Sequence, residues 1–147
     1  MDLIQLEIIG ISYSQTQTGA YALILSEIIG KRKLPIVIGG FEAQSIAIGL
    51  EKEIKPPRPL THDLLKNSLD CFKISVKHVV IHKLVDGIFF ANIICKKGKK
   101  EEVLDARTSD AVAIAIRSKV PIYTLESVLT EASFSEDENQ KNKSHFI

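Results

Sequence analysis

The sequence predicts an α+β protein in which a unit of three strands followed by a helix occurs twice, as an internal duplication, with largely antiparallel sheet and helices packed on it. Three observations lead there. An offset of about 66 residues lays Ala43, Ile46, Ala47, Ile48 and Leu50 on Ser109, Val112, Ala113, Ile114 and Ile116, and the same offset lays Leu6, Ile8 and Gly10 on Phe72, Ile74 and Val76. Apolar residues alternate at period two ahead of each helical stretch, as half-buried strands require. Between two such runs stands Asp86-Gly87, a strong hairpin signal.

Taken in order, Ile4, Leu6 and Ile8 alternate with Gln5 and Glu7 to give the first strand. The next two strands are expected at 20–28 and 34–38. Gly39-Gly40 ends the third and opens a helix over 41–53, where Ala43, Ile46, Ala47 and Leu50 keep the spacing of one buried face. Ala43, Ala47 and Gly49 are small enough to let that helix approach a neighbour closely. The run Lys55-Pro56-Pro57-Arg58-Pro59 is excluded from helix and must be extended, after which Thr61 reads as the N-cap of a helix over 62–71. The second copy repeats the plan with strands over 72–85, 88–96 and 101–105 and a helix over 109–118, whose Ser109, Val112, Ala113 and Ile116 match the first buried face. A short strand at 121–123 and a helix over 125–132 complete a domain spanning 1–132, with repeat halves 2–53 and 68–119 joined by the segment 54–71. Residues 133–147 are polar and read as a mobile tail. Spacing leaves the strand order open, whether one sheet or two.

At 147 residues the chain is long enough for a single domain with its own core. Its 19 Lys and Arg against 18 Asp and Glu leave a formal charge of +1, so no global field draws it to a polyanion. Any such binding must use local groups, namely Lys31-Arg32-Lys33, the stretch 52–58 or the run 96–100. Cys71 and Cys95 form no CxxC and lie in apolar surroundings, as small core residues of a reducing compartment do. The N-terminus lacks a basic leader region and no apolar run reaches the roughly 18 residues a membrane span needs, which together predict a cytoplasmic protein without a membrane partner.

Three places carry polar groups that folding alone does not demand. Arg58 follows a stiff Pro-Pro unit, with His62 and Asp63 at the positive end of the next helix, a setting for an anion, a general base or a metal ligand. In Asp105-Ala106-Arg107-Thr108-Ser109-Asp110, Arg107 offers a bidentate contact to phosphate or carboxylate, and Thr108 or Ser109 an N-cap. Glu42 sits where Thr108 sits in the other copy, so pseudo-symmetry would bring Glu42, Arg107 and Asp110 into one cleft. Each place has a plain structural account too, as a dipole-complementing acid, an Arg–Asp pair or a cap. His78 and His82 are about 13 Å apart along one strand, too far to share an ion.

The blocks Gly40-Phe41-Glu42-Ala43-Gln44-Ser45, Lys55-Pro56-Pro57-Arg58-Pro59-Leu60-Thr61-His62-Asp63 and Asp105-Ala106-Arg107-Thr108-Ser109-Asp110, followed by Pro121-Ile122-Tyr123, resemble the signature segments of the bacterial bifunctional nuclease domain. Thr108 departs from the proline common in that family at this position. The resemblance implies a nuclease that cleaves DNA and RNA with little sequence preference and pairs as a homodimer. For that chemistry Arg58, His62, Asp63 and Arg107 are the catalytic candidates, and Gly40, Thr108 and Ser109 the candidates for contacting substrate. Glu42, Asp105 and Asp110 are the candidate ligands of a divalent ion, Mg²⁺ or Mn²⁺. The contrasting expectation is a non-catalytic dimeric module that binds an anionic ligand or a protein partner, favoured by the near-neutral charge.

Overall fold

A computed structural model describes residues 2–13 and 18–135. The chain runs β1 (Ile4–Tyr13), β2 (Ala20–Glu27), β3 (Lys33–Gly39), α1 (Gly40–Leu50), α2 (Thr61–Cys71), β4 (Ser75–Val85), β5 (Ile88–Lys97), β6 (Lys100–Arg107), α3 (Thr108–Ser118), β7 (Ile122–Thr124) and α4 (Glu126–Ala132). All seven strands join one sheet in the order β3-β2-β1-β7-β4-β5-β6, which settles the arrangement that spacing left open. Each half is an antiparallel meander followed by a helix, β1-β2-β3-α1 and β4-β5-β6-α3. Between them lies β7, antiparallel to β1 and parallel to β4. Thr124 is fully buried there and donates its hydroxyl to the Ile81 carbonyl at 2.7 Å, so this buried polar side chain is satisfied.

The hairpin expected at Asp86-Gly87 forms, with both residues at positive φ (51° and 78°), the backbone a type I′ turn demands and glycine adopts at little cost. Leu23, Leu25, Leu34, Ile46, Ile81 and Ile114 are fully covered, and each such side chain contributes on the order of 2 kcal/mol by leaving water. Helix α1 packs on β2 and β3, α3 on β4, β5 and β6, and the two helices pack on each other. Gly49 makes that crossing close: a β-carbon there would stand 3.2 Å from Ile116 Cγ2 and 3.0 Å from Arg117 Nη1.

Several expectations are corrected. The buried residues of α1 are Ala43, Ser45 and Ile46, while Ala47 and Leu50 are exposed, because α3 as well as the sheet covers the helix and turns its inner arc toward Ser45. Leu60, not Thr61, is the N-cap of α2, and Asp63 closes the turn by accepting the Leu60 N–H at 2.9 Å. Arg107 is the N-cap of α3, and neither Thr108 nor Ser109 supplies a side-chain cap, since both lie inside the helix. Cys71 is exposed at the end of α2, while Cys95 is buried as expected, and burial pushes its thiol up. Phe134, placed in the expected tail, pairs its backbone with Lys33 at the edge of β3, so the chain stays docked past Ala132. The rest of that expectation, with His145, falls on 136–147, outside the described residues.

Candidate active site

The first turn of α2 meets α1 and α3 through His62. The residue is 9% exposed, with its ring between two helices: Nδ1 lies 2.6 Å from Ser45 Oγ on α1, and Nε2 lies 2.8 Å from Asp110 Oδ1 on α3. Asp110 also accepts from Arg107, Nε to Oδ2 at 2.8 Å and Nη2 to Oδ1 at 3.2 Å, a bidentate clasp across one turn. The same Nη2 reaches Glu42 Oε1 at 3.1 Å. Four of the expected residues, Glu42, His62, Arg107 and Asp110, thus converge from three helices and the end of β6.

Their charges tune one another. Burial works to raise the Asp110 carboxyl, but the hydrogen bonds from Arg107 and His62 outweigh it and hold it below the ordinary carboxylate value. The Asp110 hydrogen bond in turn raises Arg107, which stays a cation. Because the Asp110 carboxylate only accepts, His62 Nε2 must carry the hydrogen that joins them.

Around this cluster opens a cavity of about 350 Å³, lined further by Phe41, Gln44, Ile48, Leu60 and Thr61. A second, of about 290 Å³, is lined by Ile88, Phe89, Thr108 and Ser109 among others. Glu42 and Arg107 line both, so they form the wall between the two. Arg107 keeps two thirds of its side chain exposed there.

The other expected residues lie elsewhere. Arg58 is exposed on the linker before α2, where the chain bends at 57–58 instead of running extended throughout, and it is not on either cavity wall. Asp63 faces away from the cavity toward Arg117, whose Nε donates to it at 2.6 Å; burial raises the Asp63 carboxyl, but the bonds from Arg117 and from the Leu60 N–H outweigh this and hold it low. Asp105 is exposed on β6 opposite Asn92. Gly40 starts α1 off the cavity walls, nearest Tyr21 and the Gly19 carbonyl. The proposed metal ligands Glu42, Asp105 and Asp110 therefore do not assemble: Asp105 stands apart, the other two hold Arg107, and among the described residues no group of three His, Cys, Asp or Glu side chains is placed to bind an ion. These residues do not fit a resident metal.

Two residues that sequence reasoning passed over complete the site. Arg117, buried in the last turn of α3, donates from Nη2 to both the carbonyl and the hydroxyl of Ser45 at 3.2 Å, and from Nη1 to the Ala113 carbonyl at 3.1 Å. One signal was available: Asp110 and Arg117 are seven residues apart, which places them on the same side of α3.

The bifunctional nuclease domain model matches residues 23–137, and the chain belongs to that family. It is 42% identical over 128 residues to an uncharacterised protein of Mycobacterium tuberculosis, covering 87% of this chain and 75% of that protein. It is 33% identical over 93 residues to bifunctional nuclease 1 of Oryza sativa subsp. indica, covering 60% of this chain and 28% of the rice protein. A protein of Oryza minuta named bifunctional nuclease matches at the same identity over the same share of this chain. Among the described residues, no helix is long and apolar enough to cross a membrane.

Proposed function

We propose that the chain is a nuclease that hydrolyses phosphodiester bonds of DNA and RNA with little sequence preference, at the wall between the two cavities. One observation supports this most directly: Arg107 stands exposed there with two of its nitrogens held by Glu42 and Asp110, and its Nη1 has no partner among the described residues. A guanidinium fixed on one edge and open on the other suits a phosphate oxygen, on which negative charge grows as the phosphorus becomes five-coordinate. Glu42, with one oxygen on Arg107, is placed to take a proton from the attacking water, whose oxygen then bonds to phosphorus as the ester oxygen departs and is protonated by solvent. Asp110, backed by His62, keeps the guanidinium in place. Water as the nucleophile needs no 2′-hydroxyl, so DNA and RNA are equivalent substrates, and contact with phosphate alone carries no sequence information.

A second reading has one observation in its favour. Both ring nitrogens of His62 and both oxygens of Asp110 are satisfied within the protein, as they would be in a binding module for an anionic ligand or a partner that never turns anything over. Assays of purified protein on single- and double-stranded DNA and RNA, with Mg²⁺, Mn²⁺ or EDTA, separate the two readings. The nuclease is expected to lose about 10²- to 10³-fold in kcat with Arg107→Ala and about 10²- to 10⁴-fold with Glu42→Gln. Turnover retained in both variants rejects the site, and binding without turnover selects the module. Loss of turnover in EDTA alone assigns an ion that enters with the substrate.

We also take the protein to act as a homodimer in the cytoplasm. The open edge of β6 and the two unpaired cysteines support this.

A further inference from the structure

Ser45, His62 and Asp110 form a hydroxyl–imidazole–carboxylate chain of the kind that activates a serine nucleophile. Two facts turn the reading elsewhere. Ser45 is 7% exposed in the middle of α1, and its oxygen already accepts a hydrogen bond from Arg117 at 3.2 Å. With the His62 ring neutral, the chain also has one consistent direction. Asp110 only accepts, so His62 Nε2 donates to it; in the neutral ring Nδ1 is then the acceptor, Ser45 donates to Nδ1, and Arg117 donates to Ser45. The origin of the chain is a buried guanidinium, itself fixed by Asp63 at 2.6 Å and by two helix carbonyls.

We propose that Ser45 and Arg117 are positioning residues: they hold the His62 ring from behind in its Nε2–H form, and through it keep Asp110 aligned on Arg107. Arg117 lies on neither cavity wall, and Ser45, though it lines the first cavity, is 7% exposed with its hydroxyl engaged by His62 and Arg117. The catalytic consequence rests on the nuclease reading, whereas the hold on the ring is a property of the folded protein alone. A ring bonded at both nitrogens neither flips nor turns about its own axis, so the Asp110 oxygens stay aimed at the guanidinium. Without the bond at Nδ1, only the Asp110 contact remains and the ring gains freedom.

The test is nitrogen-15 NMR of the His62 ring in the full chain, beside steady-state kinetics. In the wild-type protein, His62 is expected as a single Nε2-protonated tautomer whose ring proton exchanges slowly with water. Ser45→Ala is expected to speed that exchange by about tenfold or more, and to lower kcat by about tenfold with KM within about twofold, since removing a supporting contact of this kind costs about 10- to 100-fold. Arg117→Lys serves as a second variant that retains a cation for Asp63 but not the fork to Ser45, and faster exchange is expected there too. Unchanged exchange in both folded variants overturns the proposal, as does a wild-type ring protonated at Nδ1. Faster exchange in a protein that cleaves nothing upholds the positioning role and removes the nuclease reading instead.

Discussion

Asp63 shows how one carboxylate can be essential without facing a substrate. It closes the first turn of α2 and neutralises Arg117, and both contacts hold its carboxyl below the ordinary value of 3.8. A group whose pKa falls on folding stabilises the native state in full above its unfolded value, and that contribution is lost as pH falls through the folded value. Asp110 carries the same sign, so stability is expected to hold through neutral pH and to drop once the solution is more acid than 3.8. Asp63→Asn leaves a buried guanidinium without its counter-charge and is expected to cost about 2 kcal/mol at pH 7, less than the loss from a fully buried pair because the carboxylate is partly exposed. Its acid-side drop should also be shallower than the wild type's, which urea titrations at pH 7 and below pH 4 would measure. An Asp63→Asn protein as stable as wild type at pH 7 would contradict this account. At this scale the sequence revealed the charged candidates, because an Arg-x-x-Asp run or a His-Asp pair is visible as chemistry. Ser45 stayed hidden because a serine within a small-residue helix carries no pattern of its own, and Arg117 because its seven-residue spacing from Asp110 names no partner on another helix. Their meaning lies in a contact across 72 residues.

Helix α1 is where the reading from period and the observed packing part company, and the reason is local. The stripe Ala43, Ile46, Ala47, Leu50 assumes one flat neighbour, but α1 has two, the sheet and α3, and its inner arc is centred nearer Ser45. Gly49 was rightly singled out for close approach, with the neighbour now identified as the end of α3. This makes Gly49→Val a test of the crossing. A β-carbon at 3.0 Å from Arg117 and 3.2 Å from Ile116 is tighter than ordinary contact, and two further methyls allow no easy relief. Overpacking of this kind costs about 1 to 3 kcal/mol, outweighing the few tenths gained from helix propensity. The expected result is a fall in Tm of about 5 °C in calorimetry. A larger relative loss of activity than of folded protein should accompany it, because the displaced Arg117 stands behind His62. An unchanged or raised Tm would show that α1 and α3 can move apart freely. The caps were misread for a related reason: Thr61 and Thr108 are good capping residues in isolation, but the chain enters α2 from an extended linker and α3 directly from β6, which moves each boundary one residue earlier.

The whole molecule has two free sheet edges, and they are not alike. β3 carries Pro35, which offers no N–H, and its Lys33 end is covered by Phe134, so that edge is blunted against further pairing. β6 has neither device. It is exposed from Lys100 to Asp105 and again at Arg107, and Val103 (56%) and Leu104 (45%) present apolar side chains at its centre on opposite faces. A strand with its backbone groups open and two aliphatic residues in the middle is a template for pairing with another strand. The strand ends at Arg107, so a second copy added there would stand beside the cavity wall and close one side of the cleft. The homodimer we propose would then be a condition of the site's shape as well as of stability. Light scattering of the purified chain is expected to give twice the monomer mass. Val103→Lys and Leu104→Lys, each placing a charge where the strands would meet, are expected to return it toward the monomer mass and to lower turnover while leaving the far-ultraviolet spectrum unchanged. A wild-type monomer, or a dimer that survives both substitutions, would show that β6 is not the meeting edge, and Arg107 would then have to work in the open cleft of a single chain.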